Sequence, residues 1–136
     1  MSYANQMLET YPRDFNVDKA VLSRCIEACF DCAQACTACA DDCLSEGSVA
    51  ELIKCIRTNH DCADICISAG RVLSRQTEYD ANLSRTILEA CAQACNTCGD
   101  ECAEHAEHGM EHCRVCAEAC RSCEQACQEL LSAIGT

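Results

Sequence analysis

The chain has 136 residues, a length that fits one compact domain, residues 1–136, and leaves no room for a second. Leu, Ile, Val and Phe together supply only 23 of them, the formal net charge is -12, and 18 residues are Cys. So few aliphatic side chains exclude an ordinary aliphatic core, and the acidic balance excludes nucleic acid as a partner, since phosphate binding needs a basic face.

In chain order, Ser2 to Glu9 reads as a short extra helix ended by Tyr11-Pro12. Asn16 or Asp18 can cap a first long helix that runs until Glu46-Gly47 stops it. Ser48 can cap a second helix to about Arg75. Gln76 to Asp80 reads as a connection, and Asp80 caps a third helix from Ala81 to about His108. Gly109 breaks the pattern, and a fourth helix runs from Met110 or Glu111 to about Ile134. The links are short, so the expected fold is all-α: an antiparallel up-down four-helix bundle with a short N-terminal extra helix.

The cysteines set the register of each helix. In the first they stand at Cys25, Cys29, Cys32, Cys36, Cys39 and Cys43. At about 100° per residue, these six lie within roughly 80° of one another and rise about 27 Å. The second helix carries Cys55, Cys62 and Cys66, with Leu52 and Asn59 filling the intervening turns. The third carries Cys91, Cys95, Cys98 and Cys102, and the fourth Cys113, Cys116, Cys120, Cys123 and Cys127. Each stripe has the pattern of a bundle core with thiols where leucine would sit, and many flanking residues are Ala, which lets the helices approach closely. The expected interior is a tube of sulfur.

The two ends of that tube differ. With alternating helix directions, Leu22, Leu73, Ile87, Leu88, Leu130 and Leu131 gather at one end and close it. Cys43, Glu46, Ser48, His105, His108, Met110, His112 and Cys113 gather at the other, which is polar and rich in metal ligands. His60 lies about 140° from Cys55 and belongs to the surface or to a helix interface.

Such cysteine density often marks a secreted disulfide scaffold, but those are loop-rich, and this chain has five Gly, one Pro and twenty Ala. Met1 to Phe15 contains no apolar run of secretory type, and no stretch approaches membrane-spanning length. A reduced, cytoplasmic setting with no membrane partner is therefore expected. Five Cys-x-x-Cys and eight Cys-x-x-x-Cys steps in phase point to metal. Zinc on four thiolates leaves a formal charge of -2 per site, which a dry tube tolerates poorly, whereas one Cu(I) per thiolate is neutral. Iron–sulfur clusters call for discrete sets of four cysteines. The leading reading is storage of many Cu(I) ions, about one per cysteine, without catalysis. The alternative is an iron–sulfur or thiol-based oxidoreductase, which should place cysteine pairs at helix N-termini.

The stripes beginning at Cys25, Cys55, Cys91 and Cys113, with the histidines at the third-to-fourth helix turn, resemble the bacterial cytosolic copper storage proteins, a four-helix-bundle copper-binding family. The resemblance covers roughly Val17 to Ile134. It implies Cu(I) held by cysteine along the core, entry through a mouth bearing His105, His108 and His112, and a homotetramer of bundles. A copper chaperone or a chelator is the expected donor.

Overall fold

The computed structural model describes residues 2–135 and builds them from helices and connecting turns. A short helix α1 (Ala4–Glu9) is followed by α2 (Lys19–Leu44), α3 (Ile53–Leu73), α4 (Ala81–Ala106) and α5 (Glu111–Ile134), with a single 3-10 turn at Val49–Glu51. Two starts are fixed by side-chain caps of the kind the sequence supplies. Asp18 Oδ1 accepts the N–H groups of Ala20 and Val21, and Asp80 Oδ1 those of Asn82 and Leu83.

The ends depart from the sequence reading by a few residues, each for a local reason. The last turn of α2 tightens, Glu46 N–H donating to Cys43 O at 3.2 Å, so the helix closes at Leu44. Ser48 opens only the 3-10 turn and makes no side-chain cap bond. The break falls at Leu52, whose backbone leaves helical values (φ -110°, ψ 10°) while its side chain turns into the core at 1% exposure. At the end of α3, Gln76 Nε2 donates to Leu73 O at 2.7 Å, satisfying a terminal carbonyl and stopping the helix before Arg75. After α4, Gly109 takes φ 91°, Gly109 N–H returns to Ala106 O and Met110 N–H to His105 O, a Schellman-type stop.

The four long helices form a closed ring in which α2 packs on α3 and α5, and α4 packs on α3 and α5. Thiol pairs show the directions. Between α2 and α5, Cys25 faces Cys127 and Cys39 faces Cys113; between α3 and α4, Cys66 faces Cys91 and Cys55 faces Cys102. Sequence number rises on one helix as it falls on the other, which is the up-down-up-down bundle. No helix among the described residues is long and apolar enough to cross a membrane.

All eighteen cysteines are free thiols and none exceeds 2% exposure, so the core is the sulfur column that the stripes require. One end is sealed by hydrocarbon. Leu22, Leu73 and Leu130 converge there with Val17, Tyr79 and Ile134, and Leu88 is buried nearby in the same core. The segment before α2 lies over this seal, Tyr11 stacking edge-on against Phe15 with centroids 5.7 Å apart and sharing a hydrogen bond with Thr77.

The α3–α4 turn holds one non-glycine residue in the left-handed region, Glu78 at φ 55°. Its side chain is exposed, so nothing opposes relieving that conformation. Glu78→Gly should raise the unfolding free energy of the metal-free protein by about 0.5–1 kcal/mol, the left-handed penalty removed less the extra backbone entropy of glycine. Urea titration of the two proteins checks this, and an unchanged or lower midpoint would contradict it.

Candidate metal site

The α-helical steps of three and four residues place thiols from four helices at successive heights, and neighbouring Sγ atoms stand 3.7–4.0 Å apart across the helices. Sets of four ligand atoms lie within 4.8 Å of one another. Toward the sealed end Cys29 stands with Cys91, Cys123 and Cys127. Next come Cys32 with Cys62, Cys66 and Cys95, then Cys32 and Cys62 again with Cys36 and Cys120, and then Cys36 and Cys120 with Cys98 and Cys116. The last three of these sets are linked, through Cys32 and Cys62 and then through Cys36 and Cys120. A sulfur that belongs to two sets is placed to bridge two metal ions.

The spacing alone does not select a metal, because a tetrahedral zinc with bonds of about 2.3 Å also accepts sulfurs this close. Charge does. Four such sets have no member in common and offer four ligands each, but zinc on four thiolates leaves a formal charge of -2 in a core where every sulfur is buried. A soft monovalent ion that accepts two or three bridging thiolates fits the column and replaces the departing protons one for one. The fold therefore has a core that stays neutral whether it is filled with protons or with Cu(I).

Asn59 interrupts the sulfur on α3, and it does more than fill space. It is fully buried, and its Oδ1 accepts from Cys98 at 3.0 Å, Cys116 at 3.2 Å and Cys102 at 3.6 Å, while Nδ2 donates to Cys55 Sγ at 3.6 Å. A hard oxygen thus stands in the column as an acceptor in reach of three thiols. The signal was in the sequence, since Cys55, Asn59, Cys62 and Cys66 keep the same 4, 3, 4 steps as the cysteines of α2.

At the opposite end from the leucines, His112 joins Cys39, Cys43 and Cys113 in one set. Its Nδ1 lies 3.4 Å from Cys39 Sγ and 3.5 Å from Cys113 Sγ, and its Nε2 lies 2.8 Å from Glu46 Oε2. With the Nε2–H donated to Glu46, the Nδ1 lone pair faces the thiols, the tautomer that a metal ligand needs. Cys43 and Cys55 pair at 4.0 Å beside it.

The other two histidines are placed differently. His105 Nε2 pairs with Glu101 Oε2 at 2.8 Å, and Lys54 Nζ stands 3.8 Å from the other Glu101 oxygen. His108 is exposed, because six residues beyond Cys102 put it about 120° off the stripe. The three do not converge on one point; only His112 has a ring nitrogen among the sulfurs. Met110, at the N-terminus of α5, packs against the core, and His60 is exposed.

Charge at this end follows from burial. Burial pushes the Cys43 thiol up to about 11 and raises Cys113 as well, so metal must displace protons here. Burial alone would lower His112, but its hydrogen bonds with Cys39 and Glu46 and the nearby Asp42 carboxylate outweigh it, and the net shift is upward. His112 should therefore titrate above its ordinary value of 6.5 in metal-free protein, and Glu46→Gln should bring it down. The sign for stability follows: the contribution of His112 is complete at low pH and fades as pH rises through its folded value. Imidazole NMR shifts against pH check the order, and equal midpoints in the two proteins would remove Glu46 as the cause.

A four-helix bundle with eighteen buried thiols along its core, a histidine among them at one end and leucines sealing the other, defines a protein built to hold many soft metal ions. The chain belongs to the copper storage protein family, Csp, whose profile matches residues 18–132. A copper storage protein, Ccsp, from Streptomyces lividans loaded with 10 copper equivalents is 64% identical over 96% of this chain and 98% of that one, with a TM-score of 0.93. The Cu(I)-bound copper storage protein BsCsp3 is 39% identical over 79% of this chain and 94% of that one, with a TM-score of 0.68. An uncharacterized cysteine-rich protein of Bacillus subtilis (strain 168) is 42% identical over 77 residues, 57% of this chain and 68% of its own length.

Proposed function

We propose that this protein is a cytosolic store that sequesters Cu(I) at about one ion per cysteine, using all eighteen thiols, with no catalytic turnover. The observation that carries the reading is the sharing of Cys32, Cys36, Cys62 and Cys120 between neighbouring sets of four, which suits bridged cuprous ions in a buried core that must stay near neutral. A similar Streptomyces lividans protein is described as a cytosolic copper storage protein, which supports the compartment. The oxidoreductase alternative loses ground because every thiol is buried, leaving none exposed for exchange with a donor.

In this reading Cys39, Cys43, Cys113 and His112 form the entry set, and His105 and His108 are outer ligands whose individual loss changes the loading rate little. Asn59 adds an oxygen between the entry set and the deeper ones. Copper arrives from a chaperone or a small chelator, and the bundles assemble as a homotetramer, as the family resemblance implies.

Anaerobic titration of the reduced, metal-free protein with Cu(I), in the presence of a competing chromogenic chelator, tests the proposal. The expected endpoint is about one ion for each of the 18 cysteines. Saturation at about four or five ions, the count for separate four-thiolate sites, would falsify it.

A further inference from the structure

The thiols of the column are connected unevenly. Cys39, Cys43, Cys55 and Cys113 stand on the mouth side, where Cys39 pairs with Cys113 at 3.8 Å and Cys43 with Cys55 at 4.0 Å. Their contacts inward go to Cys102 and Cys116. Cys102 lies 3.9 Å from Cys55, and Cys39 faces both Cys102 and Cys116. From there Cys102 reaches Cys98 at 3.9 Å, Cys98 reaches Cys36 at 3.9 Å and Cys116 reaches Cys36 at 3.7 Å. Cys98, Cys102 and Cys116 are thus the crossing between the mouth and the other eleven thiols, Cys36 among them, which lie deeper.

All three crossing sulfurs donate to the same atom. Asn59 Oδ1 accepts from Cys98 at 3.0 Å, Cys116 at 3.2 Å and Cys102 at 3.6 Å, while its Nδ2 reaches back to Cys55 at 3.6 Å. The side chain is fully buried, and these thiols supply its hydrogen bonds. A crossing sulfur that binds copper loses its proton and with it the bond to Oδ1. Copper does not replace that donor, because a cuprous ion prefers sulfur to amide oxygen. A buried acceptor left without a donor is costly, so the amide opposes copper at this height.

We propose that Asn59 is a checkpoint that divides the store into an outer pool of about seven ions, on the mouth and crossing thiols, and an inner pool of about eleven. This rests on the storage reading. When a chelator drains the loaded protein, the mouth empties first and its thiols take up protons from water. The crossing thiols follow, and their regained protons bond to Oδ1. Each inner ion must then break one of those bonds to leave. As it steps from Cys36 to Cys116, its bond to the first sulfur breaks as the bond to the second forms. The copper stays cuprous, and the proton of Cys116 passes to Cys36.

Anaerobic release from the fully loaded protein to excess bathocuproine disulfonate, followed by the colour of the copper complex that forms, tests this. The parent protein should release about seven ions quickly and about eleven at least tenfold more slowly. Asn59→Val, which fills the place with hydrocarbon of similar size, should speed the slow phase about tenfold and leave the fast phase as it was. Asn59→Cys, which puts sulfur at the crossing, should do the same, and it keeps the test open if the valine variant does not fold. Leu88→Ala loosens the core near the sealed end and should keep both phases at their parent rates. A single phase in the parent protein, an unchanged slow rate in a folded Asn59 variant, or an equal acceleration by Leu88→Ala would overturn the checkpoint. In each of those cases an uptake of about 18 ions leaves storage standing. Uptake of only about four or five ions would defeat storage and checkpoint together.

Discussion

Filling the core with Cu(I) should raise the thermal unfolding midpoint of the protein by more than about 20 °C. A ligand held at a hundred times its dissociation constant stabilises the folded state by about 2.7 kcal/mol per site, and a domain of this length gains roughly 3 °C for each kcal/mol. Several such ions reach tens of degrees. Unfolded chains also carry thiols and bind copper, which reduces the gain, but only the folded bundle sets four sulfurs within 4.8 Å and shares them between sets. The starting point is a folded apoprotein, because protonated cysteines behave as small hydrophobes and the leucines at the sealed end are in place without metal. Far-UV circular dichroism during heating, on reduced metal-free and loaded samples, reads both statements. A flat spectrum without metal would show that copper drives folding, and a shift of only about 5 °C would show that it binds the unfolded chain nearly as well.

The architecture was legible because one residue type, cysteine, supplies most of the core. Cysteine steps of three and four residues fix helix faces as leucine would, and Asp18 and Asp80 cap α2 and α4 where their positions require. The stops were less legible, since they depend on tertiary events. Leu52 breaks the chain because its side chain is drawn inward, and Gln76 ends α3 with a side-chain bond that no periodicity encodes. The same limit applies at the mouth. Sequence proximity groups His105, His108 and His112, but about 100° of rotation per residue sends His108 outward, and Glu101 one turn away claims His105. Asn59 was placed correctly on the inner face, yet its contacts with three thiols come from α4 and α5 and exist only once the ring closes.

The two ends of the tube should separate cleanly under mutation, one governing rate and the other stability. Replacing His105, His108 and His112 together by Ala should slow Cu(I) loading by roughly tenfold while leaving capacity within about one ion, because imidazole suits transient capture and the thiols do the holding. The geometry assigns nearly all of that effect to His112. Its Nδ1 is the ring nitrogen within 3.5 Å of Cys39 and Cys113, so His112→Ala should approach the triple variant and His108→Ala should match the parent protein. Leu130 stands at the other end, fully buried among Leu22, Leu73 and Ile134. Leu130→Ala should cost about 2–5 kcal/mol of stability through lost burial and the cavity left behind. Its loading rate should not change, since the seal is remote from the entry set. Stopped-flow absorbance for the rate and urea unfolding of the metal-free proteins for the stability give two independent readings. If Leu130→Ala loads as slowly as His112→Ala, the slowing reflects loss of packing in general, and the mouth has no special standing; if only the histidine variant is slow, the ion enters between Cys39 and Cys113 and passes inward to the deeper thiols.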